Sequence, residues 1–235
     1  TESWNGTNWT TVNNMNSGRY NLAGGGTNTS AMAFGGYDTA QRAYSESWNG
    51  TNWTETNDLN EARYSLAGSG TSNTSALAFG GQPGLAGSSA KTELWNGTNW
   101  TEDGDLNNAR VSLTGAGTAT AGLVFGGEGP PPAQALTEEW TGAGAPVGGW
   151  STSNVMNRPR YALAGAGTQT AALAFGGNYP PGDNFADQTE LYDGTNWTEV
   201  NDMNTDRREH ATAGSYTSAI TAGGNNRTAE IANSE

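Results

Sequence analysis

The chain has 235 residues, with 10 basic and 23 acidic side chains, a formal net charge of −13 and no cysteine. That balance repels a nucleic-acid backbone and leaves neither a disulfide framework nor a thiolate metal site. No apolar run approaches the roughly 18 residues of a membrane-spanning helix, so neither nucleic acid nor membrane insertion is expected.

Trp4-Asn5-Gly6-Thr7-Asn8-Trp9-Thr10 opens the chain and returns as Trp48 to Thr54 and Trp95 to Thr101, loosened at Trp140 to Ser151, and again as Tyr192 to Thr198. The anchors Trp4, Trp48, Trp95, Trp140 and Tyr192 are 44 to 52 residues apart, a period that belongs to propeller blades rather than to helical solenoids. A unit of that size cannot bury a core alone, so residues 1–235 read as a single closed array. The first residue is Thr1, and the sequence reads as a domain of something longer.

Each unit begins with a short strand, such as Glu46-Ser47-Trp48 or Thr92 to Trp95, turns at Asn-Gly or Asp-Gly, and enters a second strand at Asn-Trp-Thr. Those dipeptides favour hairpins because their residues accept positive φ. The many Asn-x-Thr/Ser matches, at Asn5, Asn8, Asn28 and Asn73 for instance, come from this turn chemistry and not from a glycosylation signal.

A polar connector follows, with Met15-Asn16, Leu59-Asn60, Leu106-Asn107, Met156-Asn157 or Met203-Asn204. Four residues past each Met or Leu stands an arginine: Arg19, Arg63, Arg110, Arg160 and Arg207. The third strand, such as Tyr161 to Thr168, is made of small residues, as crowding around an axis requires. The fourth, such as Ala31 to Gly36, alternates Met or Leu with Ala before Phe and a glycine pair, which suits a strand buried between sheets. The loops after the glycine pairs, residues 37–45, 82–91, 128–136 and 178–188, differ in length and composition and should emerge on one face.

The order Tyr192-Asp193, Asn196-Trp197, Met203, Arg207, His210 and Gly223-Gly224 resembles kelch repeats over essentially the whole chain. It departs from them in its glycine-rich inner strand and in having Leu22, Leu66, Leu113 and Leu163 where the last unit has His210. The Trp-Asn-Gly-Thr-Asn-Trp-Thr blocks also resemble repeats in structural or fibre-like proteins of marine bacteriophages. The kelch resemblance implies four antiparallel strands per blade, hence an all-β, five-bladed β-propeller. It also implies that the first aromatic of each motif packs between blades. Neither end of the sequence holds a whole blade, so the Trp4 strands are expected to pair with the last inner strands and close the ring. The alternative closing copy is Glu230-Ile231-Ala232-Asn233.

Fivefold repetition should set the five arginines in a ring near one mouth of the channel, where they could bind a carboxylate or phosphate bidentately or satisfy backbone carbonyls. The second use is the commoner for buried arginine. Asp193 to Trp197 weakly resembles the Asp-box of sialidase propellers, itself a structural turn. Catalytic chemistry finds little support. His210 is the one histidine, and Glu2, Glu46, Glu93, Glu139 and Glu190 recur around the array instead of pairing in one pocket. No cofactor or metal is expected. The resulting expectation is a non-enzymatic binding or structural module, part of a phage particle or a cell-surface protein, docking a protein or a surface ligand such as a glycan through its unequal loops. A lectin with several glycan sites is the alternative, and a five-bladed glycosidase the third reading.

Overall fold

A computed structural model describes every residue except Ala86, Pro131, residues 143–147 and Asp183; parts of the Trp140 block and of three inter-unit loops therefore lie outside the described residues. The chain opens with a hairpin of β1 (Glu2–Trp4) and β2 (Trp9–Thr11). Four antiparallel four-stranded sheets follow. The first is β3 (Ala23–Thr27), β4 (Ser30–Phe34), β5 (Ser45–Trp48) and β6 (Trp53–Glu55), and the second is β7 (Ala67–Ser72), β8 (Ser75–Phe79), β9 (Thr92–Trp95) and β10 (Trp100–Asp103). The third is β11 (Thr114–Gly117), β12 (Ala121–Phe125), β13 (Thr137–Thr141) and β14 (Gly149–Ser153). In the fourth, β15 (Ala164–Thr168) and β16 (Ala171–Phe175) are separated in sequence from β19 (Thr189–Tyr192) and β20 (Trp197–Glu199) by a small hairpin of β17 (Asn178–Tyr179) and β18 (Asn184–Phe185). A final pair, β21 (Ala211–Ser215) and β22 (Ser218–Ala222), ends the array.

The hairpins form where turn chemistry places them. Asn49 Oδ1 accepts hydrogen bonds from the Thr51 and Asn52 amides at 2.9 Å each, while Gly50 takes φ 92°. An Asx turn of this kind uses both residues of the Asn-Gly pair. Asp193 does the same for Thr195 and Asn196 around Gly194.

Sheets and sequence units are staggered. Each sheet takes its two inner strands from one unit and its two outer strands from the next, with Ala33 opposite Glu46 and Ala31 opposite Trp48 in the first. Five units therefore yield four complete blades and two half-blades, not the five complete blades expected. The inner strands β3, β7, β11, β15 and β21 lie side by side in that order, whereas β21 does not pack on β3 in the same way.

Strand pairing does not close the array, and the expectation that Trp4 would close it is overturned. Among the described residues β1 pairs only with β2. Beside β22 stand the last residues instead: Ala222 bridges to Ser234, and Thr221 and Glu235 exchange two backbone hydrogen bonds of 3.0 Å. The register also corrects the expected alignment, because the position of Glu93 is filled by Glu235 rather than by Glu230.

The core lies between successive blades. Phe34, Phe79 and Phe125 are fully buried and meet Trp100, Trp150 and Trp197 of the following blade edge-on, at 4.9, 5.1 and 4.9 Å between ring centroids. In the last three motifs the second Trp thus makes the ring contact between blades, while the first aromatic packs on it, as Trp95 does on Trp100 at 5.4 Å. Small residues on the inner strands answer two constraints. A Cβ on Gly25 would lie 3.0 Å from the Gly70 amide nitrogen of the neighbouring strand, and one on Gly68 would lie 2.6 Å from Cζ of Phe34.

Candidate binding face

The five arginines sit behind the channel mouth, with side chains wholly sealed from solvent. Arg63 donates from Nη2 to Glu93 Oε1 at 2.7 Å, and from Nη1 to the carbonyls of Gly80 and Lys91 at 2.7 and 2.8 Å. The other carboxylate oxygen of Glu93 accepts from the backbone and side-chain amides of Asn60, at 2.7 and 2.8 Å. The same cluster recurs as Arg110, Asn107 and Glu138, and as Arg160, Asn157 and Glu190. Arg19 holds Glu46 at 2.6 Å and Arg207 holds Glu235 at 2.5 Å. Burial lowers the pKa of the Arg63, Arg110 and Arg160 guanidiniums, against the pull of their glutamate partners. Any anion would have to displace a buried carboxylate to reach one of these arginines, so their geometry fits a framework.

The expected recurrence of Glu139 is corrected to Glu138. In the third blade Glu138 faces inward to Arg110, while Glu139 accepts a 2.5 Å hydrogen bond from the Tyr192 hydroxyl. Burial and that bond push the Tyr192 phenol up to about 12. Glu2 is exposed on β1 and Glu235 takes Arg207.

The mouth itself is made by the residues two and three positions beyond each arginine. Asn21, Ser65, Ser112, Ala162 and Glu209 all adopt φ between 50° and 55°, and they line one cavity of about 400 Å³ together with Leu22, Leu66, Leu113, Leu163 and His210. Left-handed backbone is unfavourable for residues other than glycine, least so for asparagine. Here it turns each amide onto the carbonyl of the preceding unit: Ser65 to Asn21, Ser112 to Ser65, Ala162 to Ser112 and Glu209 to Ala162, at 2.8 to 2.9 Å. The cavity rim therefore has a repeated backbone, with Asn, Ser, Ser, Ala and Glu in turn at the left-handed position beside a leucine that the last unit replaces with histidine. Sequence reasoning missed it; the available signal was a changing residue set between an aromatic or aliphatic position and the recurring Leu.

His210 replaces that Leu in the last unit. Its ring lies 5.8 Å from Phe175, and a Cβ on Gly176 would lie 2.5 Å from its Cε1. Burial, reinforced by the nearby Arg207 charge, lowers its pKa to about 4, so the imidazole is neutral near pH 7.

The inter-unit loops share this face. The residue ahead of each left-handed position bridges to the residue after a glycine pair: Tyr20 to Tyr37, Tyr64 to Gln82, Val111 to Glu128, Tyr161 to Asn178 and Arg208 to Asn225. Tyr20, Tyr37 and Tyr64 form a row at 5.5 and 5.2 Å between rings, with Tyr20 56% exposed. Further round, Arg158 lies over the Tyr179 ring at 5.0 Å beside Pro159 and Pro180 in a cleft of about 250 Å³. A neighbouring cleft of about 300 Å³ includes Glu128, Pro132, Tyr161 and Pro180, and burial raises the Glu128 pKa.

No protein-family model matches the sequence, and no curated protein matches it significantly. Among solved structures, that of YjhT superposes with a TM-score of 0.79 at 11% identity, covering 97% of this chain and 84% of the other. The fold is a β-propeller. At that identity the likeness carries the architecture and nothing of the chemistry.

Proposed function

We propose that this propeller is a non-enzymatic binding module that docks a protein through its loop face. The observation that carries this reading is the contrast between the two kinds of repeat position. The Arg–Glu pairs recur and are buried, whereas the loops on one face differ in length and composition between units and expose tyrosine, proline and arginine. Interfaces favour these aromatic and guanidinium groups. The mouth cavity has Glu209 as its one carboxylate among the described lining residues, whereas glycoside hydrolysis with two carboxylates needs a facing pair. The acidic chain and the resemblance to phage fibre repeats favour a virion or extracellular surface as its setting.

A lectin is the second reading, favoured by the Tyr20–Tyr37–Tyr64 row, since phenol faces also stack on sugar rings. Selection from a random peptide-display library, with a Tyr20→Ser/Tyr37→Ser/Tyr64→Ser variant as counter-selector, tests the proposal alongside a glycan array. Peptides retained by the parent and lost by the variant are the expected result. Array binding without any peptide enrichment would replace the docking reading with the lectin.

A further inference from the structure

Antiparallel pairing sends the connectors and inter-unit loops to one face of the propeller and both kinds of hairpin turn to the other. The inner turns, residues 27–30, 72–75, 118–121, 168–171 and 215–218, contain only Thr, Ser, Asn, Gln, Ala and Tyr. They abut the outer turns, since a Cβ on Gly50 would lie 3.4 Å from the Thr29 carbonyl oxygen and one on Gly97 would lie 3.5 Å from that of Thr74. Three outer turns begin at Asn5, Asn49 and Asn96, each followed by Gly-Thr-Asn, and another is Asp193-Gly194-Thr195-Asn196. Among the described residues of all these turns Asp193 is the one ionised side chain.

The three asparagine turns hold a side-chain amide ready for attack by the nitrogen that follows it. Asn49 Oδ1 is held by the Thr51 and Asn52 amides, and Asn96 Oδ1 by those of Thr98 and Asn99, all at 2.9 Å. Asn5 repeats the pattern with Thr7 and Asn8, at 2.9 and 2.8 Å. Two N–H donors on a carbonyl oxygen stabilise the oxyanion that forms when a nucleophile adds to its carbon. The nucleophile at hand is the amide nitrogen of the next residue, which the covalent chain keeps close to Cγ. Among the described residues neither that nitrogen nor the asparagine Nδ2 has a hydrogen-bond partner in any of the three turns. Both residues are exposed, and the glycines, at φ 92° to 95°, place no Cβ beside the reacting atoms.

We propose that Asn5, Asn49 and Asn96 are modification sites, at which the folded turn converts its own asparagine to aspartate with water as the only co-reactant. The glycine nitrogen bonds to Cγ, the bond from Cγ to Nδ2 breaks, and the departing nitrogen takes the glycine amide proton and leaves as ammonia. The product is a five-membered imide joining side chain and main chain. Water then adds to one imide carbonyl and breaks its bond to the glycine nitrogen, which regains a proton. Opening at Cγ gives aspartate on the original main chain, and opening at the main-chain carbonyl gives isoaspartate.

The fourth turn shows that the fold accepts aspartate there. Asp193 stands at the position of Asn49 and Asn96, and its Oδ1 accepts from the Thr195 and Asn196 amides at 2.9 and 2.7 Å. The Asn196 and Thr195 amides lower its pKa. Each conversion therefore adds a well-held carboxylate to a face whose turns have one. Asn226 supplies a control within the chain. Its Oδ1 accepts from the Thr228 and Ala229 amides at 3.0 and 2.9 Å, but Arg227 follows it, and a side chain there crowds the attacking nitrogen. At Asn60 and Asn107 the side-chain nitrogen is committed to Glu93 and Glu138, at 2.8 Å each.

Folded protein kept at mildly alkaline pH in water enriched in heavy oxygen, followed by peptide mapping and native ion-exchange chromatography, tests this. Asn5, Asn49 and Asn96 should each exchange NH2 for OH and gain a heavy oxygen, giving species of stepwise greater negative charge. Asn226, Asn60 and Asn107 should stay unchanged over the time in which those three are half converted. Asn49→Gln, too long to close the five-membered ring, should silence that site alone, and Asn49→Asp, which installs the product, should melt with the parent. Folded protein that keeps all three asparagines overturns the proposal, and conversion of the same sites only after unfolding in urea would show that the fold blocks the attack. Asn226 converting as fast as Asn49, or Asn49→Asp melting well below the parent, overturns it as well.

Discussion

Arg63 and Glu93 meet at 2.7 Å with both side chains at 0% exposure, although 30 residues separate them in sequence. The arginine ends the connector into the second blade and the glutamate lies on that blade's third strand, so the ion pair fastens the crossing between units to the sheet it enters. Its worth lies less in attraction than in what its loss would leave behind. A buried carboxylate without its partner is far costlier than two apolar groups of similar volume.

Arg63→Ala should therefore destabilise the protein by about 3–5 kcal/mol, the usual range for breaking a buried pair from one side. Urea denaturation followed by tryptophan fluorescence measures this. The double variant Arg63→Met/Glu93→Leu should recover part of the loss, and a single variant as stable as the parent would contradict the framework role.

His210 should make stability depend on pH. Its pKa is about 4 in the folded protein against 6.5 for an unperturbed imidazole, so between these values the unfolded chain binds more protons. The contribution is fully present above about pH 6.5 and is lost as pH falls toward 4, a total of about 3 kcal/mol. His210→Leu, which restores the residue of the other four units, should flatten the melting temperature across that window relative to the parent.

The tryptophans should divide sharply by position. Trp150→Ala removes a ring that is 8% exposed, meets Phe79 edge-on and bonds Thr92, and should cost about 3–5 kcal/mol. Trp9→Ala, at an exposed site, should shift the thermal transition of dilute protein by less than the scatter among replicate scans.

Loop replacement should succeed at the tips and fail at the bases. Residues 128–136 differ in length and composition from the other inter-unit loops, but the end of that stretch belongs to the frame. Gln134 bonds through its backbone to Gly127 and Arg160, Ala135 accepts from Met156, and Leu136 accepts from Gly126 and from the Arg110 guanidinium. Replacing residues 129–133 with a Gly-Ser turn should leave the melting temperature near that of the parent. Replacing 134–136 with apolar or flexible substitutes that shift this register should lower it by several degrees.

Local chemistry explains what was legible in advance. An Asn-Gly turn between aromatic strands forms from a few adjacent residues, so the hairpins, the repeat period and the strand types could be read directly. Register could not be, where the sequence is ambiguous at single-residue resolution: Glu138 and Glu139 are adjacent carboxylates on a strand of period two, and only packing decides which faces Arg110. The rim was illegible for a different reason. Asn21, Ser65, Ser112, Ala162 and Glu209 share a backbone conformation imposed by the neighbouring unit's carbonyl, not by any common side chain. The arginines were found correctly as a recurring set, but spacing alone could not show that each already had a glutamate.

The stagger between units and blades has a consequence for how such an array changes over generations. Every sheet is built across a unit boundary, and each boundary presents the same Arg–Glu fastening and, at the inner interfaces, the same phenylalanine–tryptophan contact. A slipped recombination that removes or duplicates one whole period, wherever it cuts, rejoins strands that already match in register and side chain. Length can then drift by whole blades with no novel seam to be repaired, while the differing rim residues are reshuffled into new neighbourhoods around the mouth.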